Sequence, residues 1–179
     1  GCNDSYEELR EFVTKSNIPI TTTIHAMGCF DELHPLSLEF LGMHGNATAN
    51  YAVQDSDLII ALGTRFDDRI TGKIDTFAPK CFEAFKKRKG GIIHVNINKS
   101  EINYALNTHY NFNMDCGNFL KQINSEIQTD ERNEWLDKIN NWKNKYPFSF
   151  RESPFGIKTQ EVISEINNSL LRNNFKDYF

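Results

Sequence analysis

Two arginines and two aspartates crowd a short segment, Arg65, Asp67, Asp68 and Arg69, just after an apolar run that ends at Gly63. A guanidinium binds phosphate or carboxylate oxygens through a bidentate fork, and a nearby carboxylate can orient it. Gly63 permits close backbone approach to a ligand. The same residues could instead form an Arg–Asp network that only closes a loop, and spacing alone leaves both readings open. A second candidate is Met43-His44-Gly45, just before a predicted helix start, where backbone N–H groups favour anions. On spacing alone His44 reads as a hydrogen-bonded loop residue rather than a ligand contact. His25, His34, His94 and His109 have no metal-like spacing. No G-x-G-x-x-G occurs, so the standard dinucleotide fingerprint is absent. The residues by themselves reach as far as an anion-binding crevice.

A crevice of this kind needs strands whose carboxyl ends converge. The run Leu58-Ile59-Ile60-Ala61-Leu62-Gly63 predicts a strand buried on both faces, and residues 92–97 predict a second. Residues 19–23 and 109–113 predict shorter strands. Helices are expected over residues 4–16, opened by a Ser5-x-x-Glu8 capping box, and over 46–56, rich in small alanines. Others are expected over 76–89, over 100–106, and after Asp115, a candidate cap. Residues 28–45 read as a long loop. The alternation predicts an α/β fold with a doubly wound, mainly parallel sheet and right-handed crossovers.

Composition shifts after Gln128. Residues 129–146 predict an amphipathic helix with Trp135, Ile139 and Trp142 on one stripe, stopped by Pro147; 149–156 read as a linker and 157–171 as a further helix. The expected organisation is an α/β domain over 1–128, a helical connector over 129–156, and the start of another domain over 157–179.

With 179 residues, 39% hydrophobic, and a formal charge of −4, the chain fits a globular domain with an appended segment. That balance gives no argument for nucleic acid as a partner. The basic run Lys86 to Lys89 reads as a solvated helix end. No apolar run approaches the ~20 residues of a membrane helix. Cys2, Cys29, Cys81 and Cys116 are far apart, unlike a zinc site or a disulfide framework, so reduced thiols are expected. The chain opens on Gly rather than Met and reads as part of a longer protein.

Several stretches resemble the acetolactate synthase (acetohydroxyacid synthase) family, in a form closest to the fungal enzymes. They include Leu41-Gly42-Met43-His44-Gly45, Asn50-Tyr51-Ala52-Val53 and Thr64-Arg65-Phe66-Asp67-Asp68-Arg69, with Gly90-Gly91-Ile92-Ile93-His94 and Trp142-Lys143 following in order. The resemblance implies the central domain of a thiamine diphosphate enzyme, cradling FAD that performs no net redox. It implies that His44, Gly45, Ala47, Asn50, Val53, Gly63, Thr64, Arg65, Asp67, Asn96 and Asp115 bind this cofactor. Arg69 and Met43 match positions facing the second substrate, and Asp68 and Arg69 match an access channel that herbicides occupy. Asn96 stands where most relatives carry an acid, and Met114 where the fungal pattern has Gly.

The whole enzyme of that family condenses two pyruvates, or pyruvate and 2-ketobutyrate, for branched-chain amino-acid biosynthesis. Its activating Glu and its thiamine diphosphate and Mg2+ motif lie outside these residues. No catalytic residue and no metal site is therefore expected in this chain, which alone should not turn over pyruvate. The resemblance further implies a homodimer or homotetramer with the missing domains, a possible regulatory subunit, and a mitochondrial, plastid or, in bacteria, cytoplasmic setting. The alternatives are the central domain of another thiamine diphosphate enzyme and a stand-alone flavin- or nucleotide-binding module.

Overall fold

The structure is a computed structural model that describes residues 5–147, 149–151 and 154–173. Residues 1–146 form one compact unit and 147–179 a second. In the first unit the order is α1 (Tyr6–Ser16), β1 (Ile20–Thr22), β2 (Ser37–Phe40), α2 (Ala47–Asp55), β3 (Leu58–Leu62) and α3 (Asp68–Thr71). Then come α4 (Pro79–Lys86), β4 (Gly91–Val95), β5 (Tyr110–Phe112), α5 (Cys116–Glu126) and α6 (Asn133–Lys145). The second unit contains α7 (Thr159–Arg172).

Every strand pair is parallel: β1 with β2 in one sheet, and β3–β4–β5 in another. Helices flank the strands, so the expected α/β class with parallel sheets is the observed one. Strand β4 is the centre of the larger sheet, with Ile92, His94 and Val95 fully buried. Strand β3 departs from expectation, since Leu58 is 40% exposed and only Ala61 is buried. The reason lies in pairing. Strand β3 has a neighbour on its β4 side only, and its other edge faces β1 across two cavities of about 150 and 290 Å³. Both cavities are lined by Leu9, Ile20, Thr21, Ile59, Ile60 and Leu62, an apolar slot between two free sheet edges.

Residues 28–45 are expected to form one loop, but β2 forms inside them and docks Leu38 in the core. The helix expected over 100–106 reduces to a short 3-10 turn at Lys99–Glu101. Asn103 adopts a left-handed φ of 57° there, and its Oδ1 accepts from the Thr108 amide, closing a loop instead. Ser5 does precede α1, yet its side chain makes no capping bond. Asp115 does cap α5, its Oδ1 accepting from the Asn118 amide at 3.1 Å.

Helix α6 is bolted to the domain rather than hanging from it. Ile139 is 2% exposed and packs with Leu38, Ala49 and Ala52, a burial that stabilises by about 2 kcal/mol. Lys143 donates to the carbonyls of Pro35 and Ser37 at 2.7 Å each, and Lys138 pairs with Asp55. Burial lowers the Lys143 ammonium below the ordinary lysine range, partly opposed by Glu39.

Candidate functional site

The crevice is built from two loops that leave parallel strands at their carboxyl ends. After β3 the chain passes Gly63 and runs through residues 64–67 into the single turn of α3. After β2 it turns through Gly42 and Met43 to the start of α2. The loops are tied together where the Met43 amide donates to the Arg69 carbonyl at 2.8 Å. Helix α2 begins at Asn46, whose side chain accepts from the Thr48 amide at 2.8 Å and donates to Glu39 at 2.9 Å. Asn50 donates to the Gly42 carbonyl at 3.0 Å, which fixes the turn above it.

Between the loops lies a cavity of about 370 Å³. It brings together seven of the residues singled out from sequence: Met43, His44, Gly63, Thr64, Arg65, Asp67 and Arg69. His25 joins them from the loop after β1. A second cavity of about 360 Å³ shares Met43 and Arg69 and adds Asn50, Val53 and Asp68. Gly45 and Ala47 stand at the α2 start without lining either cavity.

Charge defines what the first cavity can hold. Two guanidiniums and two imidazoles face one carboxylate there. Arg65 pairs with Asp67 at 3.7 Å, with its side chain 63% exposed, so it remains available to a ligand. Arg69 has no carboxylate within ion-pair distance among the described residues. Asp67 Oδ1 is buried without a hydrogen-bond partner, an acceptor that costs free energy until something donates to it. The set suits a phosphate-bearing ligand that also carries hydroxyl donors. Among the described residues no cluster of His, Cys, Asp or Glu could hold a metal ion, and no helix is long and apolar enough to cross a membrane.

Asn96 and Asp115 lie away from this cavity. The Asn96 amide nitrogen donates to the Thr64 carbonyl at 3.1 Å and its oxygen accepts from the Asn98 amide at 2.9 Å. Asn96 thus braces the loop, while Asp115 caps α5 through Oδ1. His94, which has no metal-like spacing, holds the same carbonyl through Nε2 at 2.9 Å. A carbonyl only accepts, so Nε2 carries the proton, and the buried Nδ1 is bare and unpartnered. Burial lowers the His94 pKa, with the bond to Thr64 opposing. His109 is also lowered by burial, and its Nδ1 accepts from the Ile92 amide at 2.8 Å.

Burial disfavours the protonated form of both rings in the fold, whereas the unfolded chain protonates them near pH 6.5. Protons therefore favour unfolding. Stability from this pair is full above about pH 6.5 and declines as pH falls through the lowered folded values. Urea midpoints at pH 7.5 and pH 5 measure it; the midpoint is expected to fall at pH 5, and by less in His109→Gln. An equal drop in that variant removes His109 from the account.

Of the cysteines, Cys81 is buried, and burial pushes its thiol up to about 11, with the Ser56 hydrogen bond opposing. Cys29 and Cys81 are free thiols, and Cys2 lies outside the described residues.

Comparison with known proteins adds the following. Residues 1–123 match the family described as thiamine pyrophosphate enzyme, central domain. The chain is similar to the mitochondrial acetolactate synthase catalytic subunit of Saccharomyces cerevisiae, 44% identical over 162 residues, which is 89% of this chain and 24% of that protein. It is similar to the mitochondrial acetolactate synthase of Schizosaccharomyces pombe, 42% identical over 164 residues, again 89% and 24%. Against the chloroplastic acetolactate synthase 1 of Zea mays it is 38% identical over 173 residues, 93% of this chain and 26% of the relative. The chain thus spans about a quarter of the length of these curated relatives.

Proposed function

The chain belongs to the thiamine pyrophosphate enzyme family, as its central domain, and from that membership we propose that it is the FAD-binding part of an acetolactate synthase catalytic subunit. The observation that carries the reading is the single cavity into which two loops deliver Arg65, Arg69, Met43 and His44. Two guanidiniums match the charge of a pyrophosphate, and the orphaned Asp67 Oδ1 suits a hydroxyl or amide donor of a nucleotide. Gly45 and Ala47 shape the α2 start beside it, and Asn50 and Val53 line the adjoining cavity. Asn96 and Asp115, which the resemblance assigns to the same cofactor, also brace the Thr64 carbonyl and the start of α5. Arg69 and Met43, common to both cavities, are suited to the carboxylate and methyl ends of a small keto acid. When bound, FAD would act there without net redox.

In the whole protein this reading implies condensation of two pyruvates, or pyruvate and 2-ketobutyrate, for branched-chain amino-acid biosynthesis. Thiamine diphosphate and Mg2+ would be held by segments outside this chain, in a homo-oligomer, with a regulatory subunit as a further partner. The mitochondrial and chloroplastic names of the relatives favour an organelle. The slot between β1 and β3 fits the same reading, as the seat of one further parallel strand in the longer protein.

Titrating the chain with FAD and following flavin fluorescence tests the proposal. Saturable binding is expected, weakened roughly 10–100-fold in Arg65→Ala, the range for losing one charge-assisted bond. Absence of saturable binding by the parent chain would sink the flavin reading.

A further inference from the structure

Phe66 sits in the middle of the charged loop, yet it is 3% exposed. Its backbone holds a φ of 55°, the left-handed region that a bulky side chain rarely adopts. Such a conformation persists only where the surroundings over-determine it, and it recurs at ligand clamps. Here the surroundings are explicit. The ring lies edge-on to His94, with centroids 5.0 Å apart, and edge-on to Phe77 at 6.0 Å. Two residues earlier, the Thr64 carbonyl is held by His94 at 2.9 Å and by Asn96 at 3.1 Å. The Phe66 amide leans on Thr64 Oγ1 at 3.4 Å.

We infer that Phe66 is the positioning residue of the anion crevice. Its ring, socketed between Phe77 and His94, keeps the loop in the left-handed turn that presents Arg65 and Asp67 together on the cavity side. The alternative, a simple core residue, accounts for the burial but not for the backbone. A plain core phenylalanine packs as well from an ordinary strand or helix conformation, whereas this one forces a turn between two residues that face the same cavity. His94 serves twice, as the ring's neighbour and as the donor to Thr64, so the ring socket and the carbonyl anchor are one device.

The affinity arm of the test rests on the FAD reading above; the exchange arm does not. On the 179-residue chain, Phe66→Leu keeps apolar bulk and removes the edge-on contacts. Expected are an FAD Kd at least tenfold weaker and at least tenfold faster hydrogen exchange at the Arg65, Phe66 and Asp67 amides. The β4 amides of Ile92 to Val95 should keep their parent rates. A merely structural role would speed exchange throughout and leave the Kd unmoved. A folded Phe66→Leu chain with parent exchange at residues 65–67 overturns the inference. If Phe66→Leu fails to fold, Phe77→Leu loosens the socket from the other side, and unchanged exchange at residues 65–67 there overturns it equally. If the parent chain does not bind FAD, the flavin reading fails and local exchange alone decides the role of Phe66.

Discussion

Alanine in place of Gly45 is expected to lower the melting temperature by roughly 6–12 °C, the shift for about 3 kcal/mol in a chain this long, and to abolish FAD binding. The cause is space. A Cβ on Gly45 would lie 2.3 Å from the Phe40 carbonyl oxygen, 2.7 Å from the Leu41 carbonyl carbon and 2.9 Å from the Gly42 nitrogen. All three are backbone atoms of the turn that Gly45 itself closes by donating to the Gly42 carbonyl at 2.9 Å. No rotamer change relieves such a clash, so the turn must open. Gly42 sharpens the point, with a φ of +116° and a Cβ position 2.5 Å from the Arg69 oxygen, the acceptor that joins the two site loops. Opening this turn separates Met43 and His44 from Arg65 and Arg69. Gly28→Asn is the control, since nothing lies within 4 Å of its Cβ position and it is the third residue of a type II turn, closed by the Cys29 amide on the Ala26 carbonyl, a place asparagine accepts. Thermal melts and FAD titration of both variants check it; a Gly45→Ala chain that melts and binds like the parent refutes the steric account.

The second large effect concerns the slot. Strand residues alternate the side to which their backbone polar groups point. Gly63 donates to Val95 and Asp57 accepts from Gly91, so the odd-numbered residues of β3 face β4. Ile60 and Leu62 therefore turn their N–H and C=O groups toward the slot, and by the same alternation Thr21 does so from β1, since Ile20 and Thr22 bond toward β2. An edge of unpaired groups beside half-exposed isoleucines is an uncommon state for a parallel sheet. Fusing a Val/Ile-rich strand of about five residues ahead of the chain should join the two sheets. Burying on the order of 200 Å² of apolar surface contributes about 5 kcal/mol before ordering costs, so the melting temperature should rise by roughly 5 °C or more. Hydrogen exchange at Thr21, Ile60 and Leu62 should slow. A proline at the strand's centre removes a ladder donor and should cancel the gain. If both fusions behave alike, the slot does not take a parallel strand.

How much of this could be read beforehand depended on whether a local pattern decided the outcome. The apolar runs of β3 and β4, the Asp115 cap and the Ile139 stripe are local, and each formed where expected. Strand β2 escaped because four residues, one of them Glu39 in a left-handed conformation, carry almost no period. The exposure of β3 follows from its having a paired strand on one side only, and no periodicity reports a neighbour. At the site, Arg65 and Arg69 were visible as charges near a strand end, whereas spacing alone made His44 a loop residue and only the resemblance made it a contact. Phe66 was not, although an apolar residue inside a run of four charges was signal enough. The roles of Asn96 and His94 as braces depend on a carbonyl thirty residues away in sequence.

The attachment of α6 has a bearing on heredity. A module that can be moved between genes must leave no open wound at its seams. Ending this one at the composition shift after Gln128 would remove Ile139 from its seat on Leu38, Ala49 and Ala52, and Lys143 from two carbonyls. The piece that keeps its packing intact therefore extends through Tyr146 rather than ending before Asn133.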